Sequence, residues 1–405
     1  MNLPALLDVR CLICAYPLST SLFNGGRQPL ATLGWPQSLQ EAQSMARLPH
    51  DFVQCPRCAH VWNRSFRYDD IPYRDNPNRM FNQGSVWGGH LAHTRDAILD
   101  KLPESPTVVD IGCGEGHFAR GMAEARGGRG RYLGFDPSTS AESGAGVEFH
   151  ARLFSPLVDM LEFKPDAVVI RHVLEHLTDP GKLLTEFAWG AHMVGKPCWL
   201  FAETPCIDRV FETGRLSDFT YEHLSHFSTQ SFERLMSDAG EIAELSHGYD
   251  GEVVYALVEL RVPETLHTRA DAAQRFAARV DDSRVNIGQQ LAALAAGGKK
   301  VAVWGGTGKA AVFIHQFNVD VVRFPLVVDS DRAKVGTHVP GAGQLIRYRD
   351  ELKTEPVDVV IIPAHWRAKD IVAEMRREGI AVCEVLIEHG GRLVDFVAGE
   401  HPYSR

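Results

Sequence analysis

The chain has 405 residues, 44% hydrophobic and 23% charged, with 42 Lys and Arg against 51 Asp and Glu for a net charge of −9. That composition is globular and too long for one ordinary domain, and its acidic balance argues against a fold-wide grip on nucleic acid or an anionic membrane. The opening MNLPALLDVRCLIC has no basic start and no long apolar core, and no run approaches the roughly 18–20 apolar residues that span a bilayer. A cytoplasmic protein with reduced thiols is expected.

Residues 1–85 are rich in Pro, Arg and aromatics and show little periodicity. Four of the eight cysteines fall here, as two C-x-x-C pairs: Cys11 with Cys14, and Cys55 with Cys58. In a reducing compartment such pairs read as metal ligands, and four thiolates make a closed tetrahedral zinc site with a structural role. From 86 to 262, short apolar runs alternate with helical stretches: VVDIG, RYLGFD, DAVVIRHVL and CWLFAE read as strands of a doubly wound parallel sheet.

VVDIGCGEGHFA carries the first chemistry. Gly112, Gly114 and Gly116 follow an apolar strand and precede a helix, so the backbone can turn tightly and approach a ligand. The spacing is G-x-G-x-G, not the dinucleotide G-x-G-x-x-G. Asp110 before the bend suits an ammonium group, and the helix amides suit a carboxylate; the amino-acid end of S-adenosylmethionine offers both. Asp136, ending RYLGFD, stands where an acid can accept from two ribose hydroxyls.

Two later segments carry titratable groups beyond strand ends: RHVLEHL, with His172, Glu175 and His176, and FTYEHLSHF, with Tyr221, Glu222, His223 and His226. Histidine exchanges protons near neutral pH, and methyl transfer to carbon needs a base to create the nucleophile. Residues 265–298 are Ala-rich and read as a connecting helix or pair, ending at Gly297 and Gly298. A second α/β block follows, with KKVAVWGGTGKAA, PLVVDSD and VDVVIIPAHW. Its GGTGK lacks P-loop spacing, although Asp329 is placed like a ribose-binding acid.

In these parts the chain resembles the S-adenosylmethionine-dependent sugar C-methyltransferases of the tetronitrose type, and GYDGEVVYALV at 248–258 is similar to the strand that closes their central domain. The resemblance implies an α/β protein of three parts. These are a small zinc-binding domain (1–85), a class I methyltransferase Rossmann-like domain (86–262), and a helical connector with a C-terminal Rossmann-like α/β domain (263–405) that helps cradle a nucleotide-linked sugar. It implies that His223, in the family's E-H pair with Glu222, is the base, and that His176 holds the keto or enolate oxygen. The family's tyrosine two residues before that glutamate is Thr220 here, with Tyr221 one place later. The expected activity is C-methylation of a nucleotide-linked keto sugar, a small-molecule substrate. Transfer to oxygen or nitrogen is the alternative, and a non-catalytic zinc-ribbon regulator is a more distant one. Nothing in the sequence sets the oligomeric state.

Overall fold

The computed structural model describes residues 6–72, 84–144 and 146–404. The chain divides into two compact units, Met1–Glu264 and Thr265–Arg405. Among the described residues no helix is long and apolar enough to cross a membrane.

The first unit opens with an antiparallel sheet of β1 (Leu6–Leu7), β2 (Ser19–Gln28), β3 (Leu48–Gln54) and β4 (Val61–Asn63). A second, seven-stranded sheet takes its strands from β5 (Thr107–Ile111), β6 (Arg131–Phe135), β7 (Val147–His150), β8 (Ala167–Arg171) and β9 (Trp199–Pro205). The two-residue β10 (Ser225–His226) comes next but joins the first sheet, antiparallel to β4 through Ser225 opposite Trp62 and His226 opposite Val61. Then β11 (Gly240–Gly248) and β12 (Val253–Leu260) complete the large sheet, in the order β11-β12-β9-β8-β5-β6-β7.

Strands β5 to β9 run parallel, and β12 returns antiparallel beside β9. The central strands are covered on both faces, which is why β8 reads as an unbroken apolar run, Ala167 to Ile170, with none of those residues exposed. The edge strand β11 holds no buried residue and opens with half-buried and exposed positions in alternation. Local signals set the helix limits: Asp179 caps Pro180–Val194 by accepting from the Lys182 amide at 2.9 Å, and left-handed Gly195 ends it. A doubly wound order closed by an antiparallel hairpin at one edge is the class I methyltransferase fold.

Within the first unit, described residues before and after position 86 share a core. Cys11, Ile13, Val53 and Trp62 share one buried cluster with Leu133, Leu200, Leu224 and Phe227, and β10 threads the later segment into the earlier sheet. A region too short to enclose its own core closes it against its neighbour.

The second unit begins one residue into a single 33-residue helix, Glu264–Ala296. Its sheet, β13 (Val301–Trp304), β14 (Leu326–Asp329), β15 (Ile346–Tyr348), β16 (Val359–Ile361), β17 (Glu384–His389) and β18 (Arg392–Asp395), is ordered β15-β14-β13-β16-β17-β18. Only β18 is antiparallel to its neighbour. This is a second Rossmann-like sheet.

Candidate functional site

Strand β5 ends at the glycine bend. Gly112, Gly114 and Gly116 all take positive φ, at 69°, 52° and 76°. Gly116 is the left-handed N-cap of the helix His117–Ala125. A β-carbon on Gly112 would lie 2.2 Å from Val173 Cγ2, so this glycine is what lets the bend and the end of β8 touch. A β-carbon on Gly114 would meet nothing within 4 Å. Open space over a left-handed glycine at a helix entrance is where a ligand can reach backbone amides.

Asp136 is bound into the same bend. Its Oδ2 accepts from the Gly114 amide at 3.1 Å and its Oδ1 from the Ser138 amide and hydroxyl, both at 2.8 Å. Thr139 donates to the Gly114 carbonyl at 2.6 Å. Asp110 is buried, and burial pushes its carboxyl up to about 7; Arg171 counters this in part and Asp136 adds to it.

Beyond β8 the chain makes a strained turn. His172 holds φ of 53°, a left-handed conformation costly for a residue with a β-carbon. Its ring lies between two carboxylates, with Nδ1 3.6 Å from Glu175 and Nε2 3.2 Å from Glu203. Glu203, fully buried at the end of β9, also binds His90 Nε2 at 2.5 Å and the Arg171 guanidinium at 2.7 and 3.1 Å. Burial alone would raise its carboxyl; the bonds from His172 and His90 and the charge of Arg171 overcome that and hold it well below the ordinary range. Arg171 in turn packs over the Phe118 ring, 4.6 Å from its centre. His90, Arg171 and Glu203 were not singled out in the sequence. A charged residue ending an apolar strand, as in AVVIR and WLFAE, is the one signal that marked two of them.

The three-residue turn Leu174–His176 presents Glu175 and His176. His176 and His223 meet edge to face with ring centres 4.9 Å apart. His176 Nδ1 donates to the Glu222 carbonyl at 2.7 Å. A ligating atom from each of Glu175, His176 and His223 lies within 4.8 Å of the others. Burial, helped by the nearby charge of His176, pushes His223 down to about 3, so the ring is neutral at physiological pH.

The other two residues expected at this chemistry face elsewhere. Glu222 is wholly buried, and its Oε1 accepts from the Thr32 and Leu33 amides at 2.6 and 3.1 Å. Tyr221 is equally buried; its hydroxyl donates to Asp70 at 3.0 Å and accepts from the Arg67 amide at 3.0 Å. Both side chains moor the loop to the N-terminal segment and present no surface to a ligand.

The four paired cysteines converge. Cys11 and Cys58 sulfurs lie 3.6 Å apart, Cys14 and Cys55 sulfurs 3.5 Å, and all four lie within 4.8 Å of one another. Zinc–sulfur bonds of about 2.3 Å require tetrahedral edges of about 3.8 Å, so the sulfurs fit zinc. Both turns are built alike. Ile13 and Arg57 amides donate to the Cys11 and Cys55 sulfurs at 3.4 Å, and Ala15 and Ala59 take φ of 54° and 59°. In the second unit, Gly305 and Gly308 also have positive φ after β13, while Asp329 accepts from the Asp331 amide and from Lys334.

The family model for a methyltransferase domain matches residues 88–240, and that for a C-methyltransferase C-terminal domain matches 252–394. No curated protein matches the chain. Among solved structures, a SAM-dependent methyltransferase from Methanosarcina mazei aligns at 18% identity over 42% of this chain and 98% of its own, TM-score 0.31. The magnesium protoporphyrin IX methyltransferase of Synechocystis PCC 6803, with SAH bound, aligns at 16% over 45% of this chain and 90% of its own, TM-score 0.32. The chain is an S-adenosylmethionine-dependent methyltransferase that carries a C-methyltransferase C-terminal domain.

The two central glycines predict a contrast. Gly112→Ala meets Val173 and should destabilise the first unit by about 2–4 kcal/mol, combining left-handed strain with overpacking. Gly114→Ala meets only the strain, about 1–2 kcal/mol. Urea denaturation of the full chain reads both; equal losses would contradict the contact.

Proposed function

We propose that the chain transfers a methyl group from S-adenosylmethionine to the carbon beside the ketone of a nucleotide-linked sugar, a small-molecule acceptor. The observation that carries this reading is the imidazole pair His176–His223, in which His176 stands on the turn that begins after Val173, the residue pressed against the glycine bend. The matched C-methyltransferase C-terminal domain supports carbon as the acceptor.

In this reading Asp110 takes the ammonium of the donor, the amides around Gly114 and Gly116 its carboxylate, and Asp136 its ribose hydroxyls. The donor supplies an electrophilic methyl on a sulfonium sulfur. His223, neutral because burial holds it so, accepts the proton from the carbon beside the ketone, and the freed electron pair moves toward the keto oxygen. His176 hydrogen-bonds that oxygen as its charge develops, an interaction typically worth about 3–4 kcal/mol. The carbon then takes the methyl and S-adenosylhomocysteine leaves. Tyr221 and Glu222 act as positioning residues, fixing the backbone on which His223 stands. Zinc, held by Cys11, Cys14, Cys55 and Cys58, secures the sheet that β10 completes.

Three outcomes follow. Asp110 titrates at about 7, and only its ionised form attracts an ammonium, so S-adenosylhomocysteine affinity should fall as pH drops below 7, approaching tenfold per pH unit. Calorimetry across pH 5.5–8.5 checks this, and Asp110→Asn should flatten the dependence. A substrate deuterated beside the ketone should lose its label to water during turnover, and His223→Gln should stop both washout and methylation. Methylated product with the label retained would assign the methyl to oxygen or nitrogen. Elemental analysis should find one zinc per chain, lost in Cys55→Ser together with melting of the β10 segment; a stable, metal-free chain would remove zinc from the account.

A further inference from the structure

We infer that Arg171 recognises the donor: the open end of its guanidinium binds the α-carboxylate of S-adenosylmethionine, while Asp110 on the same face of the sheet takes the ammonium. The inference rests on the donor seat over the glycine bend proposed above and adds a residue to it. The sheet register is the starting point. Asp110 on β5 lies opposite Val169 on β8, and Arg171 lies opposite Glu203 on β9. Side chains two residues apart on a strand share a face, so Val169, Arg171, Asp110 and Glu203 project to one side. The helices Ser85–Leu99 and His117–Ala125 meet that side through Trp87, His90 and Phe118.

The guanidinium is engaged along one edge. Its Nε and Nη2 both donate to Oε1 of Glu203, at 3.1 and 2.7 Å, and Nη1 has no hydrogen-bond partner among the described residues. The Glu203 side chain is fully buried whereas that of Arg171 keeps 12% of its surface, so the reachable part is the end turned away from Glu203. Glu203 also binds His90 and lies 3.2 Å from His172 Nε2, so Arg171 is not its sole counter-charge. The guanidinium carbon lies 4.6 Å from the centre of the Phe118 ring and 5.6 Å from that of Trp87. Those rings hold its plane and keep bulk water from it, which strengthens its attraction for an anion. A planar fork with N–H groups aimed one way matches a carboxylate.

Charge selects the ligand group. Burial raises the Asp110 carboxyl, Arg171 is the cation that opposes this, and Asp136 reinforces it, so the guanidinium and both acids of the bend share one field. Arg120, the guanidinium on the helix that Gly116 caps, is committed elsewhere: Nη1 and Nη2 donate to the Glu115 and Glu142 carbonyls at 2.7 and 3.3 Å. Phe118, against Arg171, comes two residues after Gly116, which sets the guanidinium near the helix entrance whose amides face the same carboxylate. An α-amino acid carries ammonium and carboxylate on one carbon. Asp110 and Arg171, on adjacent strands, present the complementary pair of charges.

The test is calorimetry on the full, zinc-loaded chain at pH 8, where Asp110 is largely ionised. The probes are S-adenosylhomocysteine and its decarboxylated analogue, which keeps the amine. The wild-type chain should prefer S-adenosylhomocysteine by roughly ten- to hundredfold, the range of a charge-assisted hydrogen-bonded contact. Arg171→Met should remove most of that preference by weakening S-adenosylhomocysteine alone, and Arg171→Lys, which keeps the charge without the fork, should fall between. Equal weakening of both ligands would make Arg171 a support for Glu203 only, and an unchanged preference would leave the carboxylate to the helix amides; either overturns the inference. If Arg171→Met does not fold, nitrogen-15 NMR of the wild-type guanidinium, assigned with Arg171→Lys, decides. S-adenosylhomocysteine should shift the Arg171 Nη signals and slow their rotation, and the analogue should not; the same response to both contradicts the contact. Asp110→Asn reads the donor seat separately: it should weaken both ligands and leave the preference intact, and undiminished binding of both would refute the seat itself.

Discussion

The contact between the glycine bend and Val173 depends on Gly112 having no side chain. A β-carbon there would sit 2.2 Å from the Val173 methyl, and removing that conflict would mean pushing the end of β8 away from the end of β5. Val173 opens the turn Leu174–His176, so the same displacement would carry Glu175 and His176 with it. The glycine bend and the turn that carries His176 are therefore set by one close approach between two parallel strands. Their separation is built into the sheet and does not rely on a mobile loop, which is how reacting groups can be held within a fraction of an ångström.

Charge is the second constraint. Glu175, Glu203 and Glu222 are almost completely removed from solvent, a costly condition unless each is met by donors. Each is met differently. Arg171, His90 and His172 surround Glu203; His172 and Thr204 hold Glu175; two backbone amides from the N-terminal segment hold Glu222. The last case ties the cysteine-bearing segment to the chemistry. Without Thr32 and Leu33 nearby, Glu222 would be a buried charge with its amide donors lost, and the backbone carrying His223 would lose its mooring. The loop after β2 thereby fixes the backbone beside His223.

Features of the sequence that a local backbone requirement dictates were legible. Three glycines at alternate positions, an acid before them and an acid ending the next strand can be recognised because left-handed turns and strand ends make demands within a few residues. The paired cysteines were legible for the same reason, each turn needing only its own neighbours. The imidazoles could be named from composition and placement. What the sequence concealed was partnership over distance. Glu222 sits beside His223 in the chain, yet its side chain turns to amides 190 residues away. Tyr221 likewise answers Asp70. His90 and Glu203 pair across 113 residues, from a helix and a strand with no shared motif. The two-residue β10 was too short to leave any periodicity, although it joins what the sequence divides into two domains.

The most direct test is a crystal structure of the full chain with S-adenosylhomocysteine bound. The account predicts the amino-acid end of the ligand over Gly114 beside Asp110, its ribose on Asp136, and its sulfur directed toward a cavity bordered by His176 and His223. A ligand seated elsewhere, or a sulfur turned away from both rings, would contradict it.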